Sequence, residues 1–158
     1  MGEPFGKFEL LAPLAFGGMA ELFLARQRAL AGVERRVVIK RILPQYAGQP
    51  HFIEMFLEEA RIAALLDHPN IVPIYDLGHV DGAYFIAMPY IQGLTLKAMM
   101  EHTEERGLQF PLDVVCALLV QALTGLDYAH RREKMDGTRL HIVHRDVNPA
   151  NLMVEESG

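Results

Sequence analysis

The sequence predicts an α+β fold in which an antiparallel sheet comes first and helices follow. Three stretches carry that prediction. Residues Phe8 to Arg26, FELLAPLAFGGMAELFLAR, alternate in polarity on both sides of Gly17-Gly18, as two strands joined by a flexible glycine turn do. Residues Val33 to Leu43, VERRVVIKRIL, form a β-branched run. From Pro50 to Leu66 the apolar side chains instead recur at spacings of three and four, the period of a helix.

Composition sets the outer bounds. The chain has 158 residues, 51% hydrophobic and 22% charged, enough for one domain with a sizeable core. Its formal charge of -5 is spread over interspersed acids and bases, which offers no basic stripe for nucleic acid and no polybasic patch for a membrane. The lone cysteine, Cys116, excludes an internal disulfide, reads as intracellular, and is expected to pack in the core. The first residues, MGEPFGKFELL, lack a charged region followed by an apolar run, and Gly6 stands where a myristoylation signal needs Ser or Thr. No apolar stretch is read as long enough to span a membrane, and the expected location is the cytoplasm.

Taken in order, the glycine hairpin is of the kind that can fold backbone N–H groups over phosphates. Lys40 then sits inside an apolar strand, a costly place for a cation unless an anion meets it. The following helix contains Glu54, Glu58 and Glu59. Met55, Phe56, Ile62, Ala63 and Leu66 lie three, four and seven residues from Glu59, so Glu59 is expected to point inward and to need a cation, for which Lys40 is the candidate. Glu54 and Glu58 fall near Arg61 on the polar face. Ile71 to Tyr90 reads as two strands around a turn at Asp81-Gly82, and Ile91-Gln92-Gly93 as a hinge. Thr95 to Arg106 is a short helix. Pro111 to about Arg132 is a longer one, with Leu112, Val115, Leu118, Leu119, Ala122 and Leu126 on a broad apolar face. The connector RREKMDGTRLHI is a surface excursion that turns at Asp136-Gly137.

The chemistry concentrates in His144 to Val154, HRDVNPANLMV. Asp146 precedes Asn151 by five residues, and Pro149 between them is expected to keep the segment out of helical conformation, as a loop ahead of a Leu152-Met153-Val154 strand. A carboxylate can orient a hydroxyl and accept its proton, and an amide oxygen can ligate a magnesium ion that also holds phosphates.

This loop resembles H-R-D-L-x-x-x-N, the catalytic loop of the eukaryotic-type (Hanks-type) serine/threonine protein kinases. Upstream, VVIK resembles their V-A-I-K, the glycine hairpin resembles their G-x-G-x-x-G-x-V loop, His68-Pro69-Asn70 follows Glu59 at the usual interval after helix C, and Asp127-Tyr128-Ala129-His130 resembles the close of helix E. Gly17-Gly18-Met19 and the long connector are similar to bacterial, myxobacteria-like members. The resemblance implies a two-lobe kinase fold: a small lobe over residues 1–88 with a five-stranded antiparallel sheet and helix C, a hinge over 89–93, and a large lobe begun over 94–158. It implies ATP and Mg2+ as cofactors and a protein bearing Ser or Thr as substrate. Asp146 would be the catalytic base, Lys40 would pair with phosphates and with Glu59, Asn148 would stand at the γ-phosphate, and Asn151 would ligate the metal. ATP would meet Leu14, Ala15, Gly17, Gly18, Leu22, Val38, Lys40, Met88, Pro89, Ile91 and Met153, with Met88 as gatekeeper, the Pro89 carbonyl accepting from adenine and the Ile91 N–H donating to it. Arg145 would meet a phosphorylated activation loop.

Several positions depart from the pattern. Ala15 and Ala20 stand at two of the three glycine positions, Val38 replaces the alanine under adenine, Pro89 replaces a common glutamate, and Asn148 replaces the lysine usual in Ser/Thr kinases. The D-F-G motif, activation loop and A-P-E motif do not occur in the 158 residues. The expectation is therefore an N-terminal portion of a kinase domain, inactive alone, that self-associates or aggregates through the uncovered face of its long helix. The alternative function is a pseudokinase, a nucleotide-binding regulatory module without catalysis, which Asn148 and the two alanines favour. Aminoglycoside-type phosphotransferases share a related loop, usually with glycine before the aspartate, and Arg145 argues against them.

Overall fold

The computed structural model describes residues 2–28, 32–134 and 136–156, so Met135 in the connector and Gly158 at the predicted domain end lie outside it. The chain forms two compact units: residues 1–67 with 72–90, and residues 68–71 with 91–158.

The first unit is a six-stranded antiparallel sheet with one helix. In chain order its elements are β1 (Glu3–Phe5), β2 (Phe8–Phe16), β3 (Ala20–Arg28), β4 (Glu34–Ile42), α1 (Pro50–Ala63), β5 (Asp76–Val80) and β6 (Ala83–Pro89). The spatial order is β1-β2-β3-β4-β6-β5. The sequence predicts five strands. The sixth, β1, is too short to show alternation, but Gly6 adopts φ +55 and turns the chain so that Phe5 lies opposite Phe8. Phe5 and Phe8 then meet Phe85 edge-on at 5.3 and 5.5 Å. Asp81 and Gly82 both have positive φ, the conformation a two-residue hairpin of the primed type requires between Val80 and Ala83. Residues 71–75, predicted as strand, are not part of one, although the Tyr75 N–H still donates to the Ala87 carbonyl at 2.8 Å.

Strand period two divides the sheet into two faces. One buries Phe5, Phe8, Leu10, Ala25, Val37, Ile39, Phe85 and Ala87 in a single cluster. On the other, Ala20, Ile42 and Ile86 pack against Phe56 and Ala60 of α1. Pro50 opens α1 in its first turn, where a missing N–H costs nothing. The covered face of α1 is centred on Phe56 and Ala60. Glu59 lies on its flank and is 52% exposed along its side chain rather than inward, because the helix is covered on one side only.

The second unit contains β7 (Gly93–Thr95), α2 (Leu96–Glu105), α3 (Leu112–Arg131) and β8 (Met153–Glu155). Thr95 caps α2 by accepting the Ala98 N–H at 3.1 Å. β7 pairs antiparallel with β8, and at Gly93 an added Cβ would collide with the Val154 carbonyl. The turn at residues 68–71 packs on α3: Gly125 faces the Asn70 carbonyl, where a Cβ would stand at 3.2 Å, and Asn70 donates to Gln121 at 3.1 Å. His68 lies 5.0 Å from Tyr128, ring to ring. In the connector a bridge joins Glu133 to Arg139, with Gly137 at φ +82 in the turn.

Three expectations are corrected here. Cys116 is exposed, not in the core, because α3 buries only Gly125 and Ala129 and turns the Cys116 side away from both. The helix Leu112–Arg131, with mean hydropathy 1.5 in its most apolar window, does reach the length and composition of a membrane span, a test that core helices of water-soluble proteins also pass. Pro149–Asn151 forms one 3₁₀ turn rather than plain loop, since proline at a first helical position removes no needed bond.

Candidate active site

In the first unit the register lines up one row of predicted residues. Ala15 lies opposite Leu22, Leu22 opposite Lys40, and Lys40 opposite Ile86. The next row is Leu24, Val38 and Met88. Directly opposed residues project to the same side, so Leu22, Val38, Lys40 and Met88 share the sheet face on which α1 covers Ile42 and Ile86. The uncovered part of that face is a half-buried apolar patch with a cation at its edge. A mostly apolar surface with a charged group at its edge has the make-up of a small-molecule site.

Lys40 Nζ donates to both carboxylate oxygens of Glu59, at 2.7 Å to Oε2. It is also 5.8 Å from the Phe56 ring centre. A strand lysine and a helix glutamate are thus joined as the motif spacing suggests. Exposure of half the Glu59 side chain keeps the pair's own stabilising contribution small.

The glycine hairpin closes through the Gly17 N–H, which donates to the Ala20 carbonyl at 2.8 Å. Gly18 has open space around its Cα. Leu14 and Ala15 are exposed, Leu14 by 46%; a register shift between Pro13 and Ala15 sets Leu14 at an irregularity. Ala20 is 4% exposed and belongs to the cluster under α1. Its methyl therefore fills the core, which explains a residue larger than glycine there.

On the opposite face of the sheet from Lys40 lies a cluster that sequence reasoning missed. Arg41 donates to Glu21 at 2.8 Å, and its guanidinium lies over Phe23 at 4.7 Å and Phe5 at 5.5 Å. Glu21 is the buried charged residue among the described ones. The signal available in sequence was an acid and a base on successive strands, which many surface pairs share.

In the second unit Asp146, Asn148 and Asn151 converge, and Pro149 drives the convergence by starting the 3₁₀ turn. The Asn151 amide nitrogen donates to Asp146 Oδ2 and to the Asp146 carbonyl, each at 2.9 Å. Asn148 Nδ2 donates to Asp146 Oδ1 at 2.8 Å. With both N–H groups of Asn151 committed, its amide oxygen is left to accept from, or ligate, something else. Before Asp146, Arg145 takes φ +64, a strained conformation for a long side chain, and the Asp146 N–H donates to His144 Nδ1 at 3.3 Å. Met153 lies opposite Thr95 in the β7–β8 pair, and Ile91 is half-buried just before β7.

A strand lysine bonded to a helix glutamate in one unit, and an aspartate held by an asparagine five residues on in the other, make a specific combination. The sequence pattern of the protein kinase domain matches residues 8–158. The chain belongs to the protein kinase family. It is 44% identical over 156 residues to the tyrosine-protein kinase MasK of Myxococcus xanthus, covering 99% of this chain and 24% of that protein. It is 37% identical over 153 residues to the serine/threonine-protein kinase PrkC of Bacillus subtilis, covering 97% of this chain and 21% of that one. A crystal structure of the Mycobacterium tuberculosis PknI kinase domain matches with a TM-score of 0.73 at 30% identity, over 99% of this chain and 58% of that domain. The chain thus spans less than a quarter of these curated relatives. Protein kinases as a family use ATP and a divalent metal. Among the described residues no group of three or more His, Cys, Asp or Glu could hold a metal ion by itself. The Asn151 amide oxygen is a donor of the kind Mg2+ takes.

Proposed function

We propose that this protein transfers the γ-phosphoryl group of ATP to serine or threonine hydroxyls of proteins in the cytoplasm. The observation that carries the reading is the Asp146 carboxylate held by the amides of Asn148 and Asn151. A base fixed in this way accepts the proton of an incoming hydroxyl without reorganising. Asn151 would contribute its amide oxygen to Mg2+, which when bound draws charge off the phosphates. Lys40, oriented by Glu59, meets the α- and β-phosphates. Leu22, Val38 and Met88 receive the adenine, with Leu14, Ala15, Gly17 and Gly18 over the nucleotide and Pro89 beside it; Ile91 and Met153 are assigned to ATP by the family resemblance alone. The roles of the other residues rest on the family resemblance together with their placement in each unit.

The test is phosphate incorporation by the product of the complete reading frame. Asp146→Asn is expected to lower it by about 10²–10⁴-fold, with ATP still bound, and phosphoamino-acid analysis of the wild type is expected to return phosphoserine or phosphothreonine. Phosphotyrosine would redirect the substrate class, and an unchanged rate in Asp146→Asn would remove Asp146 as base. One observation favours a second reading, a pseudokinase: no cation stands at position 148. ATP binding without turnover in the complete protein would support it.

A further inference from the structure

The Asn148 side chain is fully engaged inside its own loop. Its Oδ1 accepts the Ala150 N–H at 2.9 Å. Its Nδ2 donates to Asp146 Oδ1 at 2.8 Å and lies 3.3 Å from the Asp146 carbonyl oxygen. A carboxamide has two N–H donors and one oxygen. With the nitrogen turned to Asp146, what Asn148 can still offer outward is an oxygen lone pair, which phosphate oxygens repel.

We infer that Asn148 is a positioning residue for Asp146 and makes no contact with the γ-phosphate. The inference rests on the reading of Asp146 as the base and deepens it. Two amides hold the carboxylate from either side, Asn148 on Oδ1 and Asn151 on Oδ2, so rotation of the carboxylate plane is stopped in both directions. The same Asn148 caps the 3₁₀ turn Pro149–Asn151 from an extended backbone conformation, φ -149 and ψ 164, and the Asn151 N–H returns to the Asn148 carbonyl at 3.0 Å. One side chain therefore places the base directly and its other clamp, Asn151, through the turn. Misplacement of a reacting group by about 1 Å costs on the order of a hundredfold in rate. That is the scale on which a residue of this kind acts.

The experiment is a double-mutant cycle in the product of the complete reading frame, read as steady-state initial rates with radiolabelled ATP. Asn148→Ala is expected to lower kcat by about ten- to a hundredfold, with the KM for ATP within about twofold of wild type. Asn148→Ser, whose hydroxyl can accept from Ala150 and donate to Asp146, is expected to stay within about threefold. In an Asp146→Ala background, Asn148→Ala is expected to cost less than about twofold, because the group it positions is gone. An equal loss in both backgrounds, a raised KM for ATP, a wild-type kcat in Asn148→Ala, or a serine variant as poor as alanine would each overturn the proposal. If instead Asp146→Ala alone leaves transfer intact, the base assignment itself has failed, and the two failures are told apart.

Discussion

The two units bury their apolar side chains very differently. Among the described residues, thirteen of the fourteen buried hydrophobic side chains, from Phe5 to Ala87, belong to the first unit, and Ala129 belongs to the second. In the first unit the sheet has its two faces filled by separate clusters. In the second, Leu112, Val120 and Leu123 of α3 are 77%, 63% and 61% exposed, and the turn at residues 68–71 meets α3 through a close approach at Gly125, the Asn70–Gln121 hydrogen bond and the His68–Tyr128 ring contact. A unit that closes its own core depends on packing at single residues. One that does not depends on backbone fit and on capping.

That contrast predicts the ranking of substitutions. Phe56→Ala should have the largest effect, since the ring is fully buried between α1 and the sheet; about 3–5 kcal/mol is expected in chemical denaturation. A loss below about 1 kcal/mol would break the picture of a self-sufficient first unit. Gly93→Ala comes next, because its Cβ has no room beside the Val154 carbonyl; about 1–3 kcal/mol is expected, read as loss of hydrogen-exchange protection in β7 and β8. Leu123→Ala should cost less than about 0.5 kcal/mol. Charged residues at Leu119, Val120 and Leu123 together should lower self-association in sedimentation velocity; association unchanged by that triple variant would show that this face is not where copies of the chain meet.

The smallest effect expected is a pH dependence in the first unit. Arg26 donates to Glu9 at 2.7 Å, and this hydrogen bond holds the Glu9 carboxyl below the usual carboxylate range, helped by the charges of Arg26 and Arg28 and by the Gly2 N–H, against some desolvation. A carboxyl whose folded pKa is depressed contributes stability that is complete above its unfolded value and lost as pH falls through its folded value. Glu9→Gln should therefore lower the thermal midpoint slightly at neutral pH and not at strongly acidic pH. A deficit that persists into acid would point to packing rather than charge.

Much of the candidate site was legible because its residues are close in sequence or lie on strongly patterned elements. Asp146 and Asn151 are five residues apart, and Lys40 interrupts a β-branched run that had to be a strand. The Lys40–Glu59 pair could be named because the lysine needed an anion and the next helix offered few. Glu59's exposure was not legible, since helical spacing says which residues share a face but not how much of that face is covered. The sixth strand, the Arg41–Glu21 pair and the packing of residues 68–71 on Gly125 all join partners whose proximity follows from sheet order and helix placement.

By itself, then, the sequence determined the succession of β2 to β6 and of the three helices, the turn at Asp81-Gly82 and the chemistry of His144 to Val154, because local geometry follows from side-chain period, glycine and proline. Only the tertiary structure decided which partner each polar group takes. It turned Ala20 from a loop substitution into a core residue and directed the Asn148 amide to Asp146 and Ala150, because hydrogen bonds and packing depend on distances that no one-dimensional spacing contains.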